Sequence, residues 1–356
     1  MSNFKIFNCI TDHNNILKAY HQTQLGPGKY KREAMEFHKN QTHNLGKLRQ
    51  SLLDETYKFS GYEEFMVYEP KERLIHAPRY KDKIVQLSIN NILKEVIHPK
   101  FIFDSYACID GKGTHRCVSR MQSLMRKAKW HYGEDAYIIK IDIKKFFYTI
   151  DRGVLKNIMR KKIDCDKTIE LLVKIIDSAD SISEKGLPLG NTLSQISANL
   201  YLNELDQFCK RKMSLKYYIR YADDIVVIVK NKELAKDILK CIEAFLSERL
   251  HLESNKKKTK IFPLSQGVNT VGFKIHPTHK LLRNDSKKKI KRKAKKMRRL
   301  IGDGCMTQSK AEQILNSWKG HAQNGNSYNF INQLIARNDY ICMSNKGNLK
   351  VEVLKC

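Results

Sequence analysis

Three aspartates have the type and placing for phosphoryl chemistry. Asp142 ends the run Ala136-Tyr137-Ile138-Ile139-Lys140-Ile141-Asp142-Ile143, and Asp223 and Asp224 stand side by side between two apolar segments far downstream. Phosphoryl transfer depends on positioned Mg²⁺ more than on covalent help from the protein. Two such ions a few ångströms apart can activate a hydroxyl and steady a departing pyrophosphate. Carboxylate oxygens are hard ligands that suit them. Each piece alone has an ordinary explanation, since an Asp pair in a turn is common turn chemistry and an Asp after a strand often caps the next helix. Both places are flanked by strongly apolar residues, where an unpaired charge is costly. A shared cation would relieve both, so Asp142 and Asp223 are read as metal bridges and Asp224 as an auxiliary ligand.

Those carboxylates need a rigid frame. The run 136–143 is short, β-branched and nearly all apolar, which predicts a buried central strand. Tyr217–Arg220 and Ile225–Val229 predict two strands joined by a hairpin turn over Tyr221-Ala222-Asp223-Asp224. Asp151 is placed to cap a helix from Val154 to Lys161. Further helices are predicted over Asp82–Val96 and Lys232–Leu250, with strands over Lys258–Phe262 and Thr270–Ile275. The first seventy residues read as mostly helical, followed by a hairpin of Phe65–Tyr68 with Leu74–His76. The whole predicts an α+β chain: a mixed or antiparallel sheet with helices on one face.

The tail from His279 differs in kind, with 18 Lys or Arg against 5 Asp or Glu. Ten of the thirteen residues from Lys287 to Arg299 are basic. Self-repulsion in such a helix is severe unless a polyanion binds it. Lys287, Lys288, Lys291, Arg292, Lys295, Arg298 and Arg299 are therefore expected to lie along nucleic-acid phosphates, giving affinity without sequence information. A second tail helix is predicted from a capping box at Ser309 and Glu312 to a stop at Gly320, with Trp318 as packing.

Composition agrees. Across 356 residues, 66 basic side chains oppose 37 acidic ones, a formal charge of +29. Phosphate backbones are the commonest partners of so positive a surface; a ribosomal or anionic-membrane setting is the alternative. Nothing resembles a secretory leader, and no apolar run is long enough to span a bilayer, so no membrane partner is expected. Nine scattered cysteines without metal-ligand spacing suit a reducing cytoplasm.

At this point the residues resemble the reverse transcriptases. Tyr221-Ala222-Asp223-Asp224 matches their Tyr-x-Asp-Asp box, and Asp142-Ile143-Lys144-Lys145-Phe146-Phe147 matches their first palm motif. Lys71-x-Arg73-x-Ile75-x-x-Pro78, followed by Asp82–Gln86, is similar to the fingers motif of the bacterial branch. Lys258-Thr259 falls at the late palm lysine, and Val271, Gly272 and Phe273 fall at the primer grip. The resemblance implies a right-hand polymerase: an N-terminal helical extension over 1–70, fingers over 71–134, a palm over 135–278 with fingers elements in 152–186, and a helical basic thumb over 279–356. It implies two Mg²⁺, with Mn²⁺ able to substitute, held by Asp142, Ile143, Asp223 and Asp224. Arg73, Arg79, Phe147, Leu189, Gly190, Gln195 and Lys258 would meet the incoming deoxynucleoside triphosphate. Phe147 would sit under its sugar, where a ring clashes with a 2′-hydroxyl.

Gly186-Leu187-Pro188-Leu189-Gly190-Asn191-Thr192-Leu193-Ser194-Gln195 narrows the resemblance. Other reverse transcriptases usually keep Gln where this chain has Leu189 and Pro where it has Gln195. The pattern resembles the enzymes of diversity-generating retroelements, as does Asp104–Cys108 with Gly111–His115. That group implies error-prone copying at template adenines, a template RNA with its RNA/DNA hybrid, and a small basic accessory protein oligomer, in a bacterial or phage-infected cell. Intron, retron and defence-associated enzymes are the near alternatives, and a non-catalytic RNA-binding scaffold is the distant one.

Overall fold

The computed structural model describes residues 3–68, 72–178 and 185–338. Lys71 of the fingers motif, the Pro70-Lys71 part of the hairpin connection, and residues 339–356 of the tail lie outside the described residues. The chain divides into two compact units. One comprises 1–113, 139–227 and 233–260; the other comprises 114–138, 228–232 and 261–356.

The first unit opens with helices Asn3–Thr11, His13–Thr23, Arg32–Lys39 and Gln41–Leu53. Asp12 starts the second of these by accepting the Asn14 N–H at 2.9 Å, a helix-capping bond. Helix Tyr80–Ile97 packs against His13–Thr23 and buries Ile84, Val85, Ile89 and Leu93. Each such side chain contributes roughly 1.5–3 kcal/mol when fully buried. Four polar residues of this helix, Asp82, Gln86, Ser88 and Asn90, are buried as well, and the Ser88 hydroxyl accepts from Asn15 Nδ2 at 2.9 Å. The hairpin is longer than expected, β1 (Tyr62–Val67) pairing antiparallel with β2 (Arg73–Pro78), Phe65 opposite Ile75.

The remaining strands are β3 (Tyr137–Asp142), β4 (Tyr217–Tyr221), β5 (Asp224–Val229), β6 (Lys260–Pro263), β7 (Val268–Thr270), β8 (Phe273–Ile275) and β9 (Lys280–Leu282). A four-stranded sheet has the order β4-β5-β3-β6. Tyr217–Arg220 and Ile225–Val229 are buried at successive positions, so side chains on both faces of these strands leave water. Helix Arg152–Lys162 is capped as expected, Asp151 accepting the Val154 N–H at 3.0 Å.

In the second unit, β7, β8 and β9 form an antiparallel sheet. Three basic-tail helices follow: Asn284–Gly302, Gln308–Ala322 and Tyr328–Ala336. Their core joins Ile290, Ala294 and Met297 to Ala311, Leu315 and Leu334, with Trp318 packed against it. Ile290, Ala294 and Met297 recur at spacings of four and three, one stripe of a helix otherwise covered in Lys and Arg.

Three expectations need correction here. The run Thr270–Ile275 is not one strand: Val271 and Gly272 have φ of 39° and 90° and form the two-residue turn between β7 and β8. Such hairpin turns require positive φ at both central residues. Strand β6 begins at Lys260 rather than Lys258, because Lys258 and Thr259 turn back to bond Asn255 O. The tail helix is capped by Thr307, whose hydroxyl accepts the Lys310 N–H at 3.3 Å. Ser309 thus lies inside the helix. Gly320 does not stop it, since only a left-handed residue closes a helix in that way and Gly320 stays right-handed.

Candidate active site

The site is built on the hairpin of β4 and β5. Because β4 runs to Tyr221 and β5 starts at Asp224, the turn is two residues, Ala222 and Asp223, rather than the expected four. Ala222 takes φ 52°, a left-handed conformation costing a non-glycine residue roughly 1–2 kcal/mol. A buried guanidinium holds that turn. Arg220 donates to the Ala222 carbonyl at 3.1 Å and to Asn199 Oδ1 at 3.0 Å. Its other face forms a bidentate pair with Asp206 at 2.6 and 2.8 Å, both side chains wholly out of water. Tyr218 donates its hydroxyl to the same carboxylate at 2.7 Å. The segment Asp104–Tyr106 lies along β4, with Arg220 N–H on Asp104 O and Tyr106 N–H on Arg220 O.

Asp142 ends β3, the strand beside β5. Its side chain is 17% exposed and meets Lys258 Nζ at 2.8 and 3.0 Å. Asn255 Nδ2 donates to it at 3.2 Å. Lys140, two residues earlier on β3, projects to the same face and pairs with Asp224 at 3.2 Å. Burial pushes the Asp223 carboxyl above the ordinary carboxylate range. Asp142 and Asp224 push it the same way, and Lys258 opposes them. The three aspartates therefore share one electrostatic neighbourhood.

Among the described residues, no three His, Cys, Asp or Glu side chains stand close enough together to hold a metal ion. Asp142 and Asp224 instead turn to the ammonium groups of Lys258 and Lys140. The donor chemistry nonetheless fits Mg²⁺: three carboxylates bear on one region, and the burial and like charge that raise the Asp223 carboxyl are what a cation there would relieve. Ile143 is buried and bridges to Ser254.

The other expected residues divide. Phe146 is the core ring, 4% exposed; Phe147 packs on it edge-on at 5.5 Å and is half-buried. Leu189 accepts the His76 N–H at 2.6 Å, so this loop lies on β2, the strand that begins at exposed Arg73. Gly190 has φ 101°, and a β-carbon there would come within 2.6 Å of Ile75 Cγ2. Only glycine fits that approach. Gln195 is exposed on the first turn of helix Thr192–Gln207. Arg79 is drawn elsewhere: it pairs with Glu33, beside a cavity of about 680 Å³ that both residues line.

In the second unit, Phe273 is fully buried beneath His321, its ring centroid 4.8 Å away, and Gly272 faces the same imidazole. Six of the seven basic residues named from the sequence are exposed; Lys287 is half-buried, and it and Lys291 each lie 5.5 Å from the Phe330 ring centroid.

Lys140, Asn255, Asn199, Asp206 and Arg220 were not singled out from the sequence. Lys140 carried a signal, since it is the one polar residue at a same-face spacing from Asp142. Arg220 carried another, as a lone charge in an otherwise aromatic and apolar strand. Asn255 carried none.

Residues 68–275 match the family model of the reverse transcriptase (RNA-dependent DNA polymerase). The chain is 24% identical over 302 residues to a group II intron-encoded protein, LtrA, of Lactococcus lactis, covering 65% of this chain and 49% of that one. It is 29% identical over 233 residues to the retron Ec73 reverse transcriptase of Escherichia coli, covering 62% and 70%. The chain thus spans about half the length of the group II intron-encoded protein it matches. Among solved structures, telomerase from Candida tropicalis is similar at a TM-score of 0.46 and 15% identity over 64% of this chain and 49% of that one. The match over more than half the sequence places the chain in the reverse transcriptase family. No helix among the described residues is long and apolar enough to cross a membrane.

Proposed function

We propose that the chain is the RNA-directed DNA polymerase of a diversity-generating retroelement, copying a template RNA into error-prone cDNA by two-metal nucleotidyl transfer. The observation that carries the catalytic part is the pairing of Asp142 with Lys258 beside the strained turn of Ala222 and Asp223. Asp142, Asp223 and Asp224 would hold the ions, which activate the primer hydroxyl and offset charge on the departing pyrophosphate. Lys258, with Arg73 and Arg79, would meet the triphosphate. Fingers, palm and thumb would follow the boundaries given above, with Val271–Phe273 as primer grip and the Lys287–Arg299 face along the hybrid. A small basic accessory protein would complete the assembly.

The retroelement part rests on Leu189 and Gln195. Leucine neither donates nor accepts at a place where relatives keep Gln. Losing a positioned polar contact weakens discrimination between substrates. Leu189→Gln is expected to lower misincorporation opposite template adenine, on the order of ten-fold, in primer extension on RNA with sequenced products. Unchanged error at adenine would refute this account. Phe147→Ala is expected to raise ribonucleotide use by roughly ten-fold or more, measured as the ratio of kcat/KM for ribo- and deoxynucleotides. An intron or retron enzyme is the second reading, favoured by the relatives above. It predicts accurate copying at adenine by the intact protein.

A further inference from the structure

Helix Thr114–Tyr132 buries Cys117, Val118, Met121, Leu124, Met125 and Ala128 along one stripe. On the other side, Trp130 stands 86% exposed. An indole of this size is among the most favourable side chains to bury, and the chain's other tryptophan, Trp318, is packed against a core. The helix carries five Lys or Arg and no Asp or Glu in nineteen residues. Arg126 and Lys127 lie four and three positions before Trp130, the spacings that make neighbours on a helix surface. Both are exposed, as is Lys129, which pairs with Glu134 at 2.8 Å. His131 stacks edge-on against Tyr132 at 5.0 Å.

We propose that Trp130, with Arg126 and Lys127, is a stacking platform for a single-stranded segment of nucleic acid, a contact additional to the Lys287–Arg299 face. An exposed indole among cations, with only the His131 ring beside it at 6.4 Å, is unlike the contiguous apolar patch that a protein partner covers. It matches single-strand recognition, in which an aromatic face takes an unpaired base and nearby cations follow the phosphates. A duplex keeps its base faces stacked and cannot use the ring, so the platform discriminates strandedness and not sequence. The inference needs only that the chain binds nucleic acid. A failure of RNA-templated synthesis would leave it standing, and a failure of stacking would leave the polymerase reading standing.

The test uses the full chain with a short oligouridylate and a blunt RNA duplex of equal length, followed by fluorescence anisotropy. Trp130→Ala is expected to weaken oligouridylate binding on the order of ten-fold while leaving duplex affinity nearly unchanged; Trp130→Phe retains most of it. Arg126→Gln should lower the salt slope for the single strand by about 0.7. In a Trp318→Phe background, where Trp130 is the sole tryptophan, saturating oligouridylate should quench the emission. Equal losses for single strand and duplex, unchanged affinity in Trp130→Ala, or unquenched emission at saturation would each overturn the proposal. So would sedimentation showing that Trp130→Ala dissociates a dimer of this chain.

Discussion

Asp223→Ala is expected to abolish primer extension on an RNA template, by at least about a thousand-fold, while RNA binding is retained. A metal-bridging carboxylate contributes several kcal/mol of transition-state charge stabilisation, and each 1.36 kcal/mol is ten-fold in rate. Binding should survive, because phosphate affinity is expected of the Lys and Arg surfaces rather than of this carboxylate. RNA binding without synthesis by the unaltered protein, assayed with Mg²⁺ and with Mn²⁺, would instead favour a scaffold. The same residue yields a thermodynamic check. Burial, then Asp142 and Asp224, raise the Asp223 carboxyl in the folded state. Between the unfolded pKa and that raised value the native state binds more protons than the unfolded chain. Stability therefore falls as pH climbs through this window and stays lower above it. Asp223→Asn should accordingly raise the metal-free melting temperature at neutral pH. Added Mg²⁺ should narrow the gap by stabilising the unaltered protein more. An Asn variant that melts no higher, or Mg²⁺ that stabilises both equally, would remove Asp223 from the metal set.

Arg220→Met is expected to cost the fold about 3–5 kcal/mol, the usual penalty for stranding one member of a buried ion pair. Arg220 and Asp206 have no exposed side-chain surface, so the abandoned carboxylate would keep only the Tyr218 hydroxyl. Replacing both members, with Asp206→Leu added, should restore most of the loss, since an apolar pair of similar volume avoids the desolvation of two charges. Synthesis should not return with stability. The Ala222 carbonyl would lose its Arg220 donor, and a turn held at φ 52° would no longer present Asp223 in one orientation. Loss of such a supporting contact typically lowers activity by about 10–100-fold. Urea unfolding and primer extension on the single and double variants separate the two effects. Recovery of both together would show that Arg220 serves stability alone.

The elements legible in the sequence were those with strong local periodicity. β3, β4 and β5 and helices Tyr80–Ile97 and Lys232–Leu250 fall within a few residues of expectation, because a continuous β-branched run or a repeating apolar stripe states its own period. The errors lie where backbone conformation depends on something other than pattern. Val271-Gly272 reads as strand because valine is β-prone, yet both residues turn into the left-handed region. Thr307 and Ser309 are equally good caps in composition, and the fold selects Thr307.

The carboxylates and their separation along the chain are properties of the sequence itself, since residue type and spacing suffice to point to hard-metal chemistry; the Leu189 and Gln195 departures are legible there only against the family resemblance. The tertiary structure decided which groups face them. Lys258 and Asn255 reach Asp142 from more than a hundred residues away. Arg220 is a turn-holding residue only because Asp206 and Asn199, on helix Thr192–Gln207, meet it in a dry interior. Arg79 is adjacent in sequence to β2, yet Glu33 claims it. Such long-range electrostatic pairings leave no periodic mark, because they are fixed by burial and distance after the chain has packed.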